Sequence, residues 1–144
     1  LSSKDMLNMV NKESGLAGVS GVSSDMREIT AAAKQGNEKA ILSLEMYEQR
    51  ITKYVGAFAA EMGGVDIIVF TGGVGEHQSS TRANVCNPLR FMGVEIDGAA
   101  NDANNGDEGI ISTPNSAVKV VVIPTDEEYM IAKDTEAIIE GREP

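Results

Sequence analysis

Residues 65–77 read VDIIVFTGGVGEH, and they restrict the fold more than any other stretch of the chain. Asp66 leads into Ile67-Ile68-Val69-Phe70, a β-branched apolar run without the alternation of a half-wet strand. The run predicts a strand over 66–70 buried on both faces of a sheet. Thr71-Gly72-Gly73-Val74-Gly75-Glu76 then breaks it. Three glycines in four positions allow a tight turn and let a ligand approach the backbone without Cβ atoms in the way. Ser79-Ser80-Thr81 supplies caps for a helix starting just afterwards. Strand, glycine loop and helix in this order suit a nucleotide, but the loop lacks the Gly-Lys-Ser/Thr ending of a P-loop and the third glycine of a dinucleotide fingerprint. Taken alone, it reads equally as a tight turn without a ligand.

The surrounding chain places this unit in an α/β protein. A short helix is expected around residues 5–11, then a packed glycine-rich loop over 13–22, then a helix opened by Ser23-Ser24-Asp25-Met26-Arg27-Glu28. Asp25 and Glu28 stand at capping-box spacing there, and this helix ends near Gly36. The longest element is a helix over about 38–62. Leu44, Tyr47, Ile51, Tyr54, Val55, Phe58 and Met62 form its packing stripe, while Glu45, Glu48, Gln49, Thr52 and Lys53 lie on the wet side. Its length of about 38 Å, at about 1.5 Å per residue, crosses a domain. Gly63-Gly64 hands the chain to the strand.

Beyond the glycine loop, a helix is expected over about 80–89, with Pro88 marking its end. A half-wet strand over 91–97 and an exposed Gly/Asn-rich loop over 98–109 follow. A second interior strand over 118–123, VKVVVI, leads into a last helix opened by Pro124-Thr125-Asp126-Glu127-Glu128. Three expected strands are few for a doubly wound sheet. The class is α/β with a largely parallel sheet.

Charge and cysteine content narrow the function classes. With 12 basic and 22 acidic residues among 144, the net charge of −10 opposes nucleic acid and anionic membrane as partners. No apolar run is long enough to span a bilayer, and one cysteine cannot form an internal disulfide, so a cytoplasmic soluble protein is expected. Cys86, between Val85 and Leu89 at helical spacing, reads as a small core residue.

Three places besides the glycine backbone have chemical potential. Thr125 and Glu128 match a capping box, while the carboxylates of Asp126, Glu127 and Glu128 beside a phosphate would suit Mg²⁺. Asp25 and Arg27 read as a cap and a solvated side chain, or as a binding pair. His77, the one histidine, reads as a base, a ligand contact or a surface residue.

The order and spacing of SGVSSDMRE at 20–28, VFTGGVGEH at 69–77 and ISTPNSAVKVVVIPTDEEYMIAKDT at 111–135 resemble the C-terminal portion of the acetate kinase family, over essentially the whole chain. The resemblance implies an incomplete ribonuclease-H-like domain, residues 1–144 being the C-terminal nucleotide-binding domain without its first strands and without the N-terminal domain. It implies ATP and Mg²⁺, with reversible phosphoryl transfer to acetate giving acetyl phosphate and ADP. Asp25, Met26 and Arg27 match the adenosine end of the family's site, and Gly73, Val74, Gly75, Glu76 and His77 its glycine loop. Glu127 matches the acidic residue associated with Mg²⁺. The family usually has asparagine where this chain has His77. Its groups for carboxylate binding and the transition state lie N-terminal to these residues, so the chain alone is expected not to catalyse. A homodimer formed through this domain is also implied. The alternatives are a non-catalytic nucleotide-binding or dimerisation module, with the long helix as its assembly surface, and a propionate kinase.

Overall fold

The computed structural model describes residues 1–143. In chain order the elements are α1 (Ser3–Asn8), a π-helical turn (Met9–Glu13), α2 (Gly15–Ser20), α3 (Met26–Lys34), α4 (Glu38–Met62), β1 (Ile67–Phe70), α5 (Gly72–His77), α6 (Ser79–Cys86), a 3₁₀ turn (Asn87–Met92), α7 (Gly98–Ala103), β2 (Gly109–Ile110), β3 (Lys119–Val122) and α8 (Glu127–Ile139). The class is mixed α/β. A small sheet is ordered β1-β3-β2, with β3 parallel to β1 in the register Ile67 to Lys119 through Phe70 to Val122, and antiparallel to the two-residue β2.

The two β-branched runs pair with each other, as their composition demands, but neither is buried on both faces. Ile68, Phe70, Val120 and Val122 face the core, whereas Ile67 and Val69 are about half exposed. On the open side Ile67, Val69, Ile110, Val121 and Ile123 line a shallow apolar recess. The closed side holds the hydrophobic core, in which the four inward strand residues meet Val85, Cys86, Leu89, Val94, Ile111 and Val118. Full burial of a side chain of this size stabilises by about 1.5–3 kcal/mol. The bare face shows why a continuous apolar run is ambiguous: it records what both faces tolerate, not what covers them.

Helix α4 occupies the expected span. Asn37 caps it by accepting from Ala40 N at 3.1 Å, and Gly63, in the left-handed region, ends it. Its stripe divides, however. Leu44, Tyr47, Ile51 and Val55 turn inward with Ala40, Ser43 and Ala59, while Tyr54, Phe58 and Met62 lie on the outer surface, each more than half exposed. Arg50 stacks over Tyr54 at 5.6 Å, and the Tyr54 and Phe58 rings are 6.1 Å apart. Glu48, expected on the wet side, is buried against α6. Steps of three and four drift around a helix over 25 residues, so one apolar series can serve two faces.

Other departures follow local chemistry. Residues 13–22 are not a loop, because α2 occupies most of them. Gly18 permits it, since a Cβ there would stand 2.8 Å from the Glu13 carbonyl, and Gly21 at φ +63° ends it. The first helix is centred earlier than expected, because Ser2 and Asp5 form a reciprocal capping box. The Gly/Asn-rich segment 98–109 contains α7, capped by Asp97, which accepts from Ala100 N at 3.0 Å. Alanines behind an N-cap aspartate outweigh the loop-like composition. The strand expected over 91–97 reduces to two isolated bridges, Val94 with Val118 and Ile96 with Ser112. Pro88 sets a 3₁₀ turn ahead of it, and Gly93, at φ +88°, turns the chain against Ala117.

Candidate nucleotide-binding site

The glycine segment is helical rather than looped. Thr71 is extended, Gly72 adopts φ +70°, and α5 begins at once. Its glycines have separate roles. A Cβ on Gly75 would press within 3.3 Å of the Phe70 carbonyl carbon, so Gly75 lets α5 fold back onto the end of β1. A Cβ on Gly73 would meet no protein atom within 4 Å, so its bareness leaves open space beside the backbone.

That space belongs to a cavity of about 730 Å³ between α3 and the α5–α6 junction. Met26, Arg27, Thr30, Ala31 and Lys34 contribute one face of α3, with Asp25 at its cap; Gly73, Val74, His77 and Gln78 face them. Asp25 accepts from Arg27 N at 2.8 Å, which caps α3, and also from the guanidinium at 2.6 and 3.1 Å. These bonds, the side-chain ones foremost, hold the Asp25 carboxyl down at about 2. The capping box with Glu28 does not form, because the N2 amide takes the aspartate oxygen. The Thr30 hydroxyl oxygen is enclosed and has no hydrogen-bond partner among the described residues.

Of the sequence-derived candidates, the fold gathers Asp25, Met26, Arg27, Gly73, Val74 and His77 around one cavity and leaves Gly75 and Glu76 behind it. Glu76 is buried, and it accepts from Thr125 N at 2.9 Å and from Thr125 Oγ1 at 3.1 Å. The Thr125 backbone bond is the main reason its carboxyl sits below its ordinary range. Thr125 is thereby taken, and the cap of α8 falls to Asp126, which accepts from Tyr129 N at 3.0 Å; the Thr125/Glu128 capping box is not formed. Likewise α6 starts without a side-chain cap from its serines. His77 Nδ1 donates to the Asn105 carbonyl at 3.2 Å, and its ring lies where a Cβ on Gly106 would be.

A second recess of about 410 Å³ adjoins the first, lined by Gly72, Gly73, Thr125, Asp126, Glu127 and Glu128. Gly73 lines both. With Asp126 engaged as a cap, Glu127 and Glu128 are the carboxylates left for a ligand. Among the described residues no three His, Cys, Asp or Glu side chains converge on a metal position. Two exposed carboxylates at one recess are the kind of donor that binds Mg²⁺ together with phosphate oxygens.

Behind the cavity stands a residue that sequence reasoning missed. Arg82 is fully buried, and all five of its N–H donors are used: Nε to Asn101 Oδ1 at 2.7 Å, Nη1 to the carbonyls of Gly75 and Glu76 at 2.9 and 2.7 Å, and Nη2 to those of Asn101 and Asn104 at 2.8 and 2.9 Å. These carbonyls end α5 and α7, so one guanidinium satisfies two helix C-termini. Burial lowers its pKa. Nothing in the sequence pairs Arg82 with residues 19 to 22 positions away; the α3 residues Thr30, Ala31 and Lys34, by contrast, lie at helical spacing from Met26 and Arg27.

A sequence model of the Acetokinase family matches residues 1–133. The chain belongs to this family. It is 57% identical over 139 residues to an acetate kinase of Porphyromonas gingivalis, covering 96% of this chain and 35% of that protein, and 57% identical to one of Bacteroides thetaiotaomicron over the same shares. Among solved structures, the crystal structure of Porphyromonas gingivalis acetate kinase superposes with a TM-score of 0.88 at 56% identity, over 96% of this chain and 35% of that one. Acetate kinase from Entamoeba histolytica follows at 0.86 and 31%, covering 94% and 37%. A propionate kinase from Francisella tularensis gives 0.82 and 36%, covering 93% and 34%. The acetokinase chain thus spans about a third of the length of the relatives it matches. No helix among its described residues is long and apolar enough to cross a membrane.

Proposed function

We propose that this acetokinase chain forms the nucleotide side of an acetate kinase active site, the polypeptide that carries it transferring the γ-phosphoryl group of ATP reversibly to acetate. The observation that carries the reading is the continuity of the two recesses across Gly73. One offers the faces of two helices and the Asp25–Arg27 pair to a nucleoside, and the other offers the Glu127 and Glu128 carboxylates. A nucleoside held in the first would run its phosphates over the bare Gly73 backbone toward Glu127. Bound Mg²⁺ would neutralise the charge of the transferring phosphates, Glu127 serving as its protein ligand. An acetate oxygen bonds to the γ-phosphorus as the bond to the β,γ-bridging oxygen breaks, and ADP leaves. The groups that bind acetate and stabilise the transferring phosphoryl are assigned to parts of the polypeptide outside residues 1–144. Acetate is favoured over propionate by identities of 57% and 56% to acetate kinases against 36% to the propionate kinase.

Gly73→Ala tests this reading, because its Cβ enters open space in the unliganded fold. The expected result is a KM for ATP raised about tenfold or more with an unchanged unfolding midpoint. An unchanged KM would remove the nucleotide from this position. Glu127→Gln should raise the Mg²⁺ concentration needed for half-maximal rate.

A second copy of the chain is assigned to the outer stripe of α4, on the observation that Tyr54, Phe58 and Met62 are adjacent and exposed. Phe58→Glu should shift the sedimentation coefficient of the polypeptide toward that of a monomer.

A further inference from the structure

The recess beside Glu127 has two sides, supplied by different elements: Gly72 and Gly73 at the start of α5, and residues 125–128 at the start of α8. The sheet brings the chain only part of the way to the second side. Its last backbone bond runs from Ile123 N to the Phe70 carbonyl at 2.9 Å, and Pro124, without an N–H, donates none. Among the described residues, the only hydrogen bonds from 124–143 to another element are the two that Thr125 donates to Glu76 Oε1. Helix α8 adds little packing of its own, since Ala137 is its one buried residue. Where α8 starts, and where it aims the Glu127 carboxylate, therefore rests on Thr125.

Glu76 is suited to hold that residue. It stands about one turn along α5 from Gly73, and its own backbone is pinned, because Arg82 Nη1 donates to its carbonyl at 2.7 Å. A carboxylate only accepts, so one oxygen takes the N–H and the hydroxyl of Thr125 together, and bonds to a charged acceptor are about twice as strong as neutral ones. The Thr125 backbone bond leads the causes that hold the Glu76 carboxyl below its ordinary range, so the accepting form is the one present at neutral pH. Thr125 is exposed, and water can reach its donors once Glu76 is gone. Losing the bonds would then cost little stability but would release the direction of the helix.

We propose that Glu76 is a positioning residue for phosphoryl transfer: through Thr125 it fixes the first turn of α8 and so sets Glu127 opposite Gly73, where a cation bridging to the phosphates would stand. The proposal rests on the nucleotide reading above. Glu76 itself touches neither nucleotide nor cation.

The test compares Glu76→Ala, Glu76→Gln and Glu127→Gln in the polypeptide that carries this chain. Without metal or nucleotide, Glu76→Ala should exchange its backbone amides over 125–130 about tenfold faster than the parent, while those of β1 and β3 keep their rates. It should also weaken binding of the Mn²⁺–ADP complex, followed by water-proton relaxation, about tenfold, with metal-free ADP bound within about twofold of the parent. Glu76→Gln keeps an acceptor oxygen and should stay within about threefold of the parent. Added to Glu127→Gln, Glu76→Ala should weaken Mn²⁺–ADP no further, because the two act on one contact. Unchanged exchange over 125–130 overturns the proposal, as does a metal-free ADP affinity that falls as far as that of Mn²⁺–ADP. A parent that binds neither form of ADP removes the nucleotide reading as well, whereas a parent that binds both, beside variants that match it, removes the positioning role alone.

Discussion

Replacing Arg82 by methionine would remove a buried charge and five donors while keeping much of the side chain's length. Three of the acceptors it leaves, Asn101 Oδ1 and the carbonyls of Glu76 and Asn101, are buried, and the carbonyls of Gly75 and Asn104 are partly open to water. Each buried acceptor left unpaired costs about 1–2 kcal/mol, and the water-accessible pair little. Relief from burying the guanidinium offsets part of the sum, so the expected loss is about 3–4 kcal/mol, within the range for breaking a buried charged network. Arg82→Lys should recover little, because three donors radiating from one atom cannot reach acceptors spread over α5 and α7. Urea unfolding of the polypeptide that carries this chain measures the loss as a shift in midpoint at constant slope. Arg90→Met, at an exposed position, supplies the reference and should cost under about 0.5 kcal/mol. An Arg82→Met protein within about 1 kcal/mol of its parent would refute the argument, since the two helix ends would then be satisfied without the guanidinium.

Burial raises the pKa of Glu48, so the folded state holds its proton more tightly than the unfolded state does. The group's contribution is therefore most favourable below its ordinary value of 4.5 and is lost as pH rises from there through the folded value. Glu48→Gln should flatten stability against pH in that window, and an unchanged slope in urea melts taken at several pH values would count against it. Gly93→Ala combines a left-handed backbone with a Cβ only 2.7 Å from that of Ala117, and should cost about 3 kcal/mol in the same assay. Cys86, buried and with its thiol pushed up to about 12, should resist iodoacetamide at pH 8 until the protein is unfolded, as intact-mass analysis would record.

The sequence was most legible where one local cause dominated. The β-branched runs identified both paired strands, and asparagine and glycine bracketed α4. Motif order pointed to the family, and α3 carried its site residues at helical spacing. Legibility failed where distant partners decide. Glu48 looks solvated until α6 arrives with Thr81 and Asn84, and Thr125 looks like a cap until Glu76 takes both of its donors. The bare side of the sheet was invisible for the opposite reason: Ile67 and Val69 have a composition suited to cover and lie without it. Composition also misled over 98–109, where a single aspartate at the right place makes a helix out of asparagines and alanines.

The grip of Glu76 on Thr125 joins α5, just after β1, to the segment between β3 and α8, and with them the walls of both recesses. Under the nucleotide reading, the span between the place for the base and the place for the cation is then a fixed length, set by the β1–β3 pairing together with this carboxylate and not by the ligand. A site built this way acts as a gauge. It accepts molecules whose two ends are the right distance apart, and a shorter nucleotide fills one recess without reaching the other. With the β1–β3 ladder holding the same neighbourhood together, that measured distance is a property of the sheet as well as of the clasp.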